Sequence, residues 1–402
     1  MMWIKRTLAL AVIAGSTSTQ AFELYKGDEL TAQMKGYLEL NGIYTDSDTS
    51  FKDGTSRIGF QFDHPVNEEW NIGAYLEWGV RTTNSGKDLK ISGDEQASLS
   101  SGDPDDAISL RQGNVYLSHD QWGDIKIGKQ WSVYYDASFT TDVYNVFGGE
   151  ASGTYNFASD GGLSGTGRAD NAITWRKSYQ GLDIGLQGQF SPGELDASDF
   201  DSTSEDDIRL STIDGEFDYG YSMSLGYTFD VGMPLSIRGA YNYALIEVKG
   251  EVDGTQVSDV DDEAWVGSIT LGETLFAKGF YASVSYAQSE NHEFDAQGII
   301  YDAEGWETVI GYGFSDQWQV FVGNNLLKAD DSDYAAALER YLDDNPSAGP
   351  LTDDYELSYY VAGVNYNWSH RINLFAEIRV DDSDFNGTDG EDIYALGLRF
   401  NL

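Results

Sequence analysis

Apolar and polar residues alternate along most of this chain. In "TSRIGFQFDH", beginning at Thr55, Ile58, Phe60 and Phe62 share one parity while Arg57, Gly59, Gln61 and Asp63 share the other. That is the period of a strand with one apolar and one polar face. "PVNEE" then makes a short turn, and "WNIGAYLEWGVRT" resumes the alternation. The same grammar runs through "MKGYLELNGIY", "ISLRQGNVYLSH", "DIKIGKQWSVYY", "NAITWRKS", "LDIGLQGQF", "YGYSMSLGYTFD", "LSIRGAYNYALIEV", "AWVGSITLG", "FYASVSYAQS", "WETVIGYGF", "WQVFVGNNLL", "YYVAGVNYNW", "INLFAEIRVDD" and "DIYALGLRFNL". Together these predict about 16 strands, an even number within the range of transmembrane barrels. Their connections alternate too, short turns with long acidic stretches such as "SGDEQASLSSGDPDDA" and "SPGELDASDFDSTSEDD". A barrel crossing a bilayer has this asymmetry.

A secreted β-sandwich or propeller would also alternate, with its apolar parity facing a core. Two features favour the membrane barrel. In "INLFAEIRV", Asn373, Phe375, Glu377 and Arg379 share the parity opposite Ile372, Leu374, Ala376, Ile378 and Val380, and charge on that face suits a wet lumen. Trp70, Trp122, Trp318 and Trp368 crowd strand ends beside short turns, as an interfacial girdle does. The last strand carries an apolar parity through Tyr394, Leu396, Leu398, Phe400 and Leu402, so it can close a barrel by pairing with the first. The predicted fold is all-β, a transmembrane antiparallel β-barrel.

The opening "MMWIKRTLALAVIAGSTSTQA" has the order of a secretory signal peptide: Lys5 and Arg6, an apolar run, then small polar residues. Residues 1–21 are read as that peptide and 22–402 as the barrel. No later apolar run is long enough for a spanning helix. Cysteine is absent, which removes disulfides and thiolate chemistry. The formal charge is −43, a field that repels nucleic acid and attracts cations. It fits either solubility in a salty medium or a cation-preferring surface or pore. The 26 Tyr, 19 Phe and 10 Trp argue against disorder.

One stretch breaks the rhythm. "TDVYNVFGGE", residues 141–150, has paired glycines and two carboxylates and makes a poor strand and a worse helix. Taken in order, "SRIGFQFD", "LRQGNVYL", "GDIKIGKQWSVYYD", "TTDVYNVFGGE" and "GTGRADNAITWRK" resemble the first strands of the general trimeric porins of Gram-negative outer membranes. The resemblance covers roughly residues 23–190 and returns in "VAGVNYNWSHRINLFAE" and the final strand. It implies a homotrimer of 16-stranded barrels in the outer membrane, touching lipid and lipopolysaccharide, each with a water-filled pore for ions and small hydrophilic solutes. It further implies an inward-folded constriction loop after strand 5, here 135–167, with Gly148 and Gly149 permitting the turn that tucks the chain inside.

By the same resemblance, Asp142 and Glu150 match acids of that loop, and Arg57, Arg111 and Arg168 match basic residues of the facing wall. Lys129 sits where another basic residue usually lies. Val146, beside Phe147, replaces the usual constriction glutamate; Tyr37 replaces a lysine of many members, and Leu402 a terminal phenylalanine. Alternation alone puts Arg57 inward, but is ambiguous at Arg111, because Gln112 and Asn114 occupy the other parity.

Signals for other chemistry are weak. His64, His119 and His370 read as turn or girdle residues, and His292 completes the set. "GGLSGTG" lacks the second glycine of a nucleophile elbow and no strand feeds it, so the chain reads as a non-enzyme with no cofactor. Asp382, Asp384 and Asn386 have the spacing of a calcium loop, but Ile393 stands at the twelfth position in place of its glutamate. A weak divalent site there, or in the other acidic loops, is the one candidate for a metal. The expected function is passive diffusion through a cation-preferring pore; the alternative is a channel specific for a nutrient such as a sugar or oligopeptide.

Overall fold

A computed structural model of the protein describes residues 21–46, 49–83, 107–156, 160–195, 214–249, 251–252, 255–256, 260–295, 298–329, 355–385 and 388–402. Sixteen long strands form one closed antiparallel barrel. They are β1 (Thr31–Tyr44), β2 (Arg57–Pro65), β3 (Trp70–Val80), β4 (Ile108–His119), β5 (Gly123–Trp131), β6 (Arg168–Tyr179), β7 (Leu182–Leu195) and β8 (Asp214–Asp230). The second half comprises β9 (Pro234–Lys249), β10 (Val260–Leu271), β11 (Gly279–Asp295), β12 (Gly298–Gly313), β13 (Trp318–Ala329), β14 (Tyr355–Ser369), β15 (Ile372–Asp381) and β16 (Ile393–Asn401). The six strands read from rhythm alone between 190 and 350 are all present. β16 pairs with β1, with Leu398 opposite Leu40, so no edge is left along the seam. The Leu402 N–H extends the closure by donating to Gly36 O at 3.0 Å.

Parity decides orientation. Tyr394, Leu396, Leu398 and Phe400 of β16 are exposed on the outer surface, whereas Ile393, Ala395, Arg399 and Asn401 are buried inside. Leu186, Leu225, Ile237, Ile269, Ile310 and Val322 extend the exposed apolar surface across six other strands, a band that only lipid or another subunit satisfies. Trp122, Trp318 and Trp368 stand exposed at the short turns, as a girdle requires. Gln180 and Gly181 form the β6–β7 turn with φ of 51° and 87°, the left-handed pair that matches strand twist.

Two irregularities shape the interior. At Arg111 a β-bulge shifts the β3–β4 register: Glu77 lies opposite Gln112, but Trp78 opposite Leu110. The extra residue lets Arg111, Gln112 and Asn114 all be buried on the lumen side, which explains the ambiguous alternation there. The second is the 132–167 connection, which carries one helical turn, α1 (Tyr135–Ser138), and folds back against the inner wall.

The inner wall therefore has two characters. On β12–β14 it includes an apolar patch: Val309, Phe321, Leu327 and Val361 are buried in one cluster with Phe147 and Ala151 of the folded-back segment. On β2–β8 it carries Gln61, Tyr75, Asn114, Thr174, Gln187 and Ser222. The apolar patch sits where the inserted segment, not water, covers the wall.

Candidate functional site

The inserted segment is tied to the wall mainly through backbone groups. Glu377 of β15 accepts N–H bonds from Asn145 (2.8 Å), Val146 (3.0 Å) and Phe147 (3.4 Å), and one from the Asn145 amide at 3.0 Å. Glu307 of β12 accepts from the Ala151 N–H at 2.9 Å and from the Thr141 hydroxyl. The Tyr144 hydroxyl donates to Thr308 O at 2.7 Å. Irregular backbone inside a barrel must find such partners, and charge-assisted bonds are the strong kind. Gly148 and Gly149 adopt φ of 105° and 79°, and a Cβ on Gly148 would lie 2.3 Å from the Tyr144 ring. The tight turn between wall contacts thus requires glycine.

The acids of this segment have defined partners. Asp142 accepts from the Tyr135 and Tyr155 hydroxyls at 3.0 and 2.9 Å. Glu150 pairs with Arg379 of β15 at 3.4 Å; burial pushes its carboxyl above the usual range, and Arg379 offsets that only in part. Arg379 also meets Asp381 at 2.8 Å and lies 3.9 Å from the Tyr359 ring centroid.

The wall cations fall into two groups. Arg57 is half-buried at the start of β2, donating to Thr55 O at 3.2 Å and Thr55 Oγ1 at 3.0 Å. Tyr37 is buried beside it. Arg111 is buried and paired with Glu77 at 3.2 Å. Arg168 was expected on the pore wall, but it is fully buried, paired with Asp160 at 3.3 Å and lying 5.1 Å from the Trp131 ring centroid. Lys129 meets Asp160 at 3.0 Å and Asp170 at 2.9 Å. Burial opposes ionisation of Asp160, yet these two cations hold its carboxyl below the usual range. Arg168 and Lys129 therefore fasten the far end of the segment to β5 and β6.

On the short-turn side of the segment, a cavity of about 1850 Å³ is lined by Gln112, Lys126, Trp131, Asp136, Arg176 and Arg238, among others. A closed barrel with one polar wall, a chain segment pinned across the other and a wide vestibule is a channel architecture. The Gram-negative porin family model matches residues 7–386.

This chain belongs to the Gram-negative porin family.

As a porin it is an outer-membrane multi-pass β-barrel whose relatives span its whole length. It is 24% identical to Outer membrane protein S2 of Salmonella typhi, over 99% of this chain and 100% of that one. It is 23% identical to Outer membrane porin N of Escherichia coli (strain K12), over 98% of each. Among solved structures, Salmonella typhi OmpF in complex with daunomycin aligns with a TM-score of 0.66 at 17% identity, covering 95% of this porin and 100% of that chain. The trimer form of OmpT of Vibrio cholerae aligns with a TM-score of 0.57 at 17% identity, covering 93% and 100%.

Glu39, Glu77, Asp160, Asp170, Glu307, Glu377, Arg379 and Arg399 were not among the sequence candidates. Glu377 and Arg379 carried a signal, as charges on the inward parity of an otherwise apolar strand. Asp160 carried none, since it lies in irregular chain. His119 is a turn residue, accepting the Gln121 and Trp122 N–H groups at Nδ1 (2.9 and 3.2 Å) with Trp70 edge-on at 4.3 Å. His292 instead is fully buried on β11, against Asp262 at 2.6 Å and Gly153 O at 2.7 Å. Of the calcium-loop candidates, Asp382 and Asp384 are described and Asn386 lies outside the described residues. Among the described residues no group of three or more His, Asp or Glu is arranged around a metal.

Proposed function

We propose that this porin is a cation-preferring, homotrimeric diffusion channel for ions and small hydrophilic solutes, narrowed by the 132–167 segment. The observation that carries the reading is that segment's anchorage to the inner wall through Glu377 and Glu307, opposite the polar wall of β2–β8. Solutes would be sorted by size there and by charge along the lumen. Cation preference rests on the −43 formal charge and on neutralisation of the wall cations Arg111, Lys129 and Arg168 by buried acids. Trimerisation is supported by the trimer form of the aligned OmpT and by the exposed apolar band. Residues 1–21 are proposed to be removed on export, and the acidic loops to hold divalent ions weakly against lipopolysaccharide.

A solute-specific channel calls for a row of accessible lumen aromatics. Trp131 does stack on Tyr135 at 4.1 Å and 16°, but Tyr135 is buried, which favours the general pore. The test is planar-bilayer conductance, with reversal potential in a KCl gradient, for the wild type and Asp142→Asn. Conductance in steps of three, cation-selective and shifted toward chloride by the substitution, is the expected outcome. No conductance from folded protein would sink the open-pore reading.

A further inference from the structure

Tyr37 lies buried against two guanidinium groups of the wall, and these surroundings give it a task. It is 3% exposed. Its ring centroid lies 4.7 Å from Arg57 Cζ and 4.4 Å from Arg399 Cζ. Its hydroxyl is 3.1 Å from Thr55 Oγ1, the same oxygen that accepts the Arg57 Nη2 bond. Arg399 is ion-paired with buried Glu39, so that guanidinium is fixed and neutralised. Arg57 is fixed on one side by Thr55 and on another by the aromatic ring. A ring quadrupole attracts a guanidinium, more strongly where water is scarce, and a planar guanidinium loses little freedom on stacking.

We infer that Tyr37 is a positioning residue for ion selectivity: its ring holds the Arg57 guanidinium flat against the barrel wall and so keeps that positive charge out of the conducting path. A lysine at this place would do the reverse, adding a third cation beside Arg57 and Arg399 and repelling Arg57. The inference rests on the pore reading above and concerns only how one wall charge is presented. Arg57 begins β2, next to the irregular Gly54–Ser56 segment, and its bonds to Thr55 hold one edge of the guanidinium. The β1 ring adds a tertiary contact at 4.7 Å.

The experiment is reversal potential in a KCl gradient for the wild type, Tyr37→Leu, Tyr37→Met and Tyr37→Phe, each also in an Arg57→Gln background. Heat-modifiability on a gel establishes folding. Tyr37→Leu and Tyr37→Met are expected to lower the potassium-to-chloride permeability ratio about two-fold or more, since even an exposed cation–π contact has that scale and this ring is buried. Tyr37→Phe, which keeps the ring and loses only the hydroxyl, should match the wild type. In the Arg57→Gln background the leucine and methionine effects should vanish, which a merely structural role would not produce. Either an unchanged ratio in the ringless variants, or an equal shift without Arg57, overturns the assignment while leaving the pore intact. If Tyr37→Leu does not fold, Tyr37→Met carries the test alone. A wild type that folds but does not conduct overturns the pore reading and this inference with it.

Discussion

Individual charges in this lumen do different work according to whether water reaches them. Asp160 is the shared counter-ion of Lys129 and Arg168, and all three side chains are nearly or fully buried. Removing one partner of such a cluster strands the others in a poor solvent. Asp160→Asn is therefore expected to destabilise the barrel by about 3 kcal/mol or more, read as a lower urea midpoint for loss of the heat-modifiable band. Arg168→Gln should cost less, because Lys129 still satisfies the acid. Glu150 belongs to a second kind, a largely buried acid beside the conducting space. Since burial raises its carboxyl pKa, it takes up a proton at a higher pH than an exposed glutamate does. Acidification through that range removes a negative charge, so the reversal potential should move toward chloride, and Glu150→Gln should abolish that component. The residue types matching family positions were legible in the sequence; their partners were not. Arg379 meets Glu150 only across the fold, and Asp160 meets Lys129 only because the segment returns to β5.

At the scale of elements, the inserted segment depends on space made by the wall. Gly305 on β12 faces it so closely that a Cβ there would lie 1.6 Å from Ala151 O. Gly323 on β13 likewise faces the Tyr144 hydroxyl, 1.8 Å from its would-be Cβ. Glycine inside a strand usually weakens it, and close approach of another backbone is a standing reason to keep it. Gly305→Ala should push the segment off the wall and toward the pore axis, lowering single-channel conductance while the barrel still forms. An unchanged conductance would mean that this wall does not set the segment's position. The sequence announced the strands and the break in rhythm at 141–150. It did not announce the β12–β14 apolar sector, because inward Val309, Phe321 and Val361 look like errors of alternation until their covering partner is known. The turn between β10 and β11 is a similar case: Leu275 is buried in the same cluster, and Phe276 packs edge-on to Phe321 at 6.0 Å.

For the whole molecule, alternation was sufficient to specify the barrel. Side chains in a strand point to opposite faces with period 2, so each strand's sequence states which face meets lipid and which meets the lumen. That local rule fixed the strand number, the outer apolar band, the Trp girdle and the closure of β16 on β1. The net charge likewise follows from composition alone; its action on ions is screened beyond about 10 Å at 0.1 M salt, so the cation preference should fall as KCl is raised. What the tertiary structure decided is where the lumen is wet. Irregular chain has no period to read, and the 132–167 segment finds its place by matching its N–H groups to Glu377 and Glu307 and its apolar residues to one sector of wall. Those partners lie more than 150 residues away in the sequence, and only a closed barrel brings them within hydrogen-bonding distance.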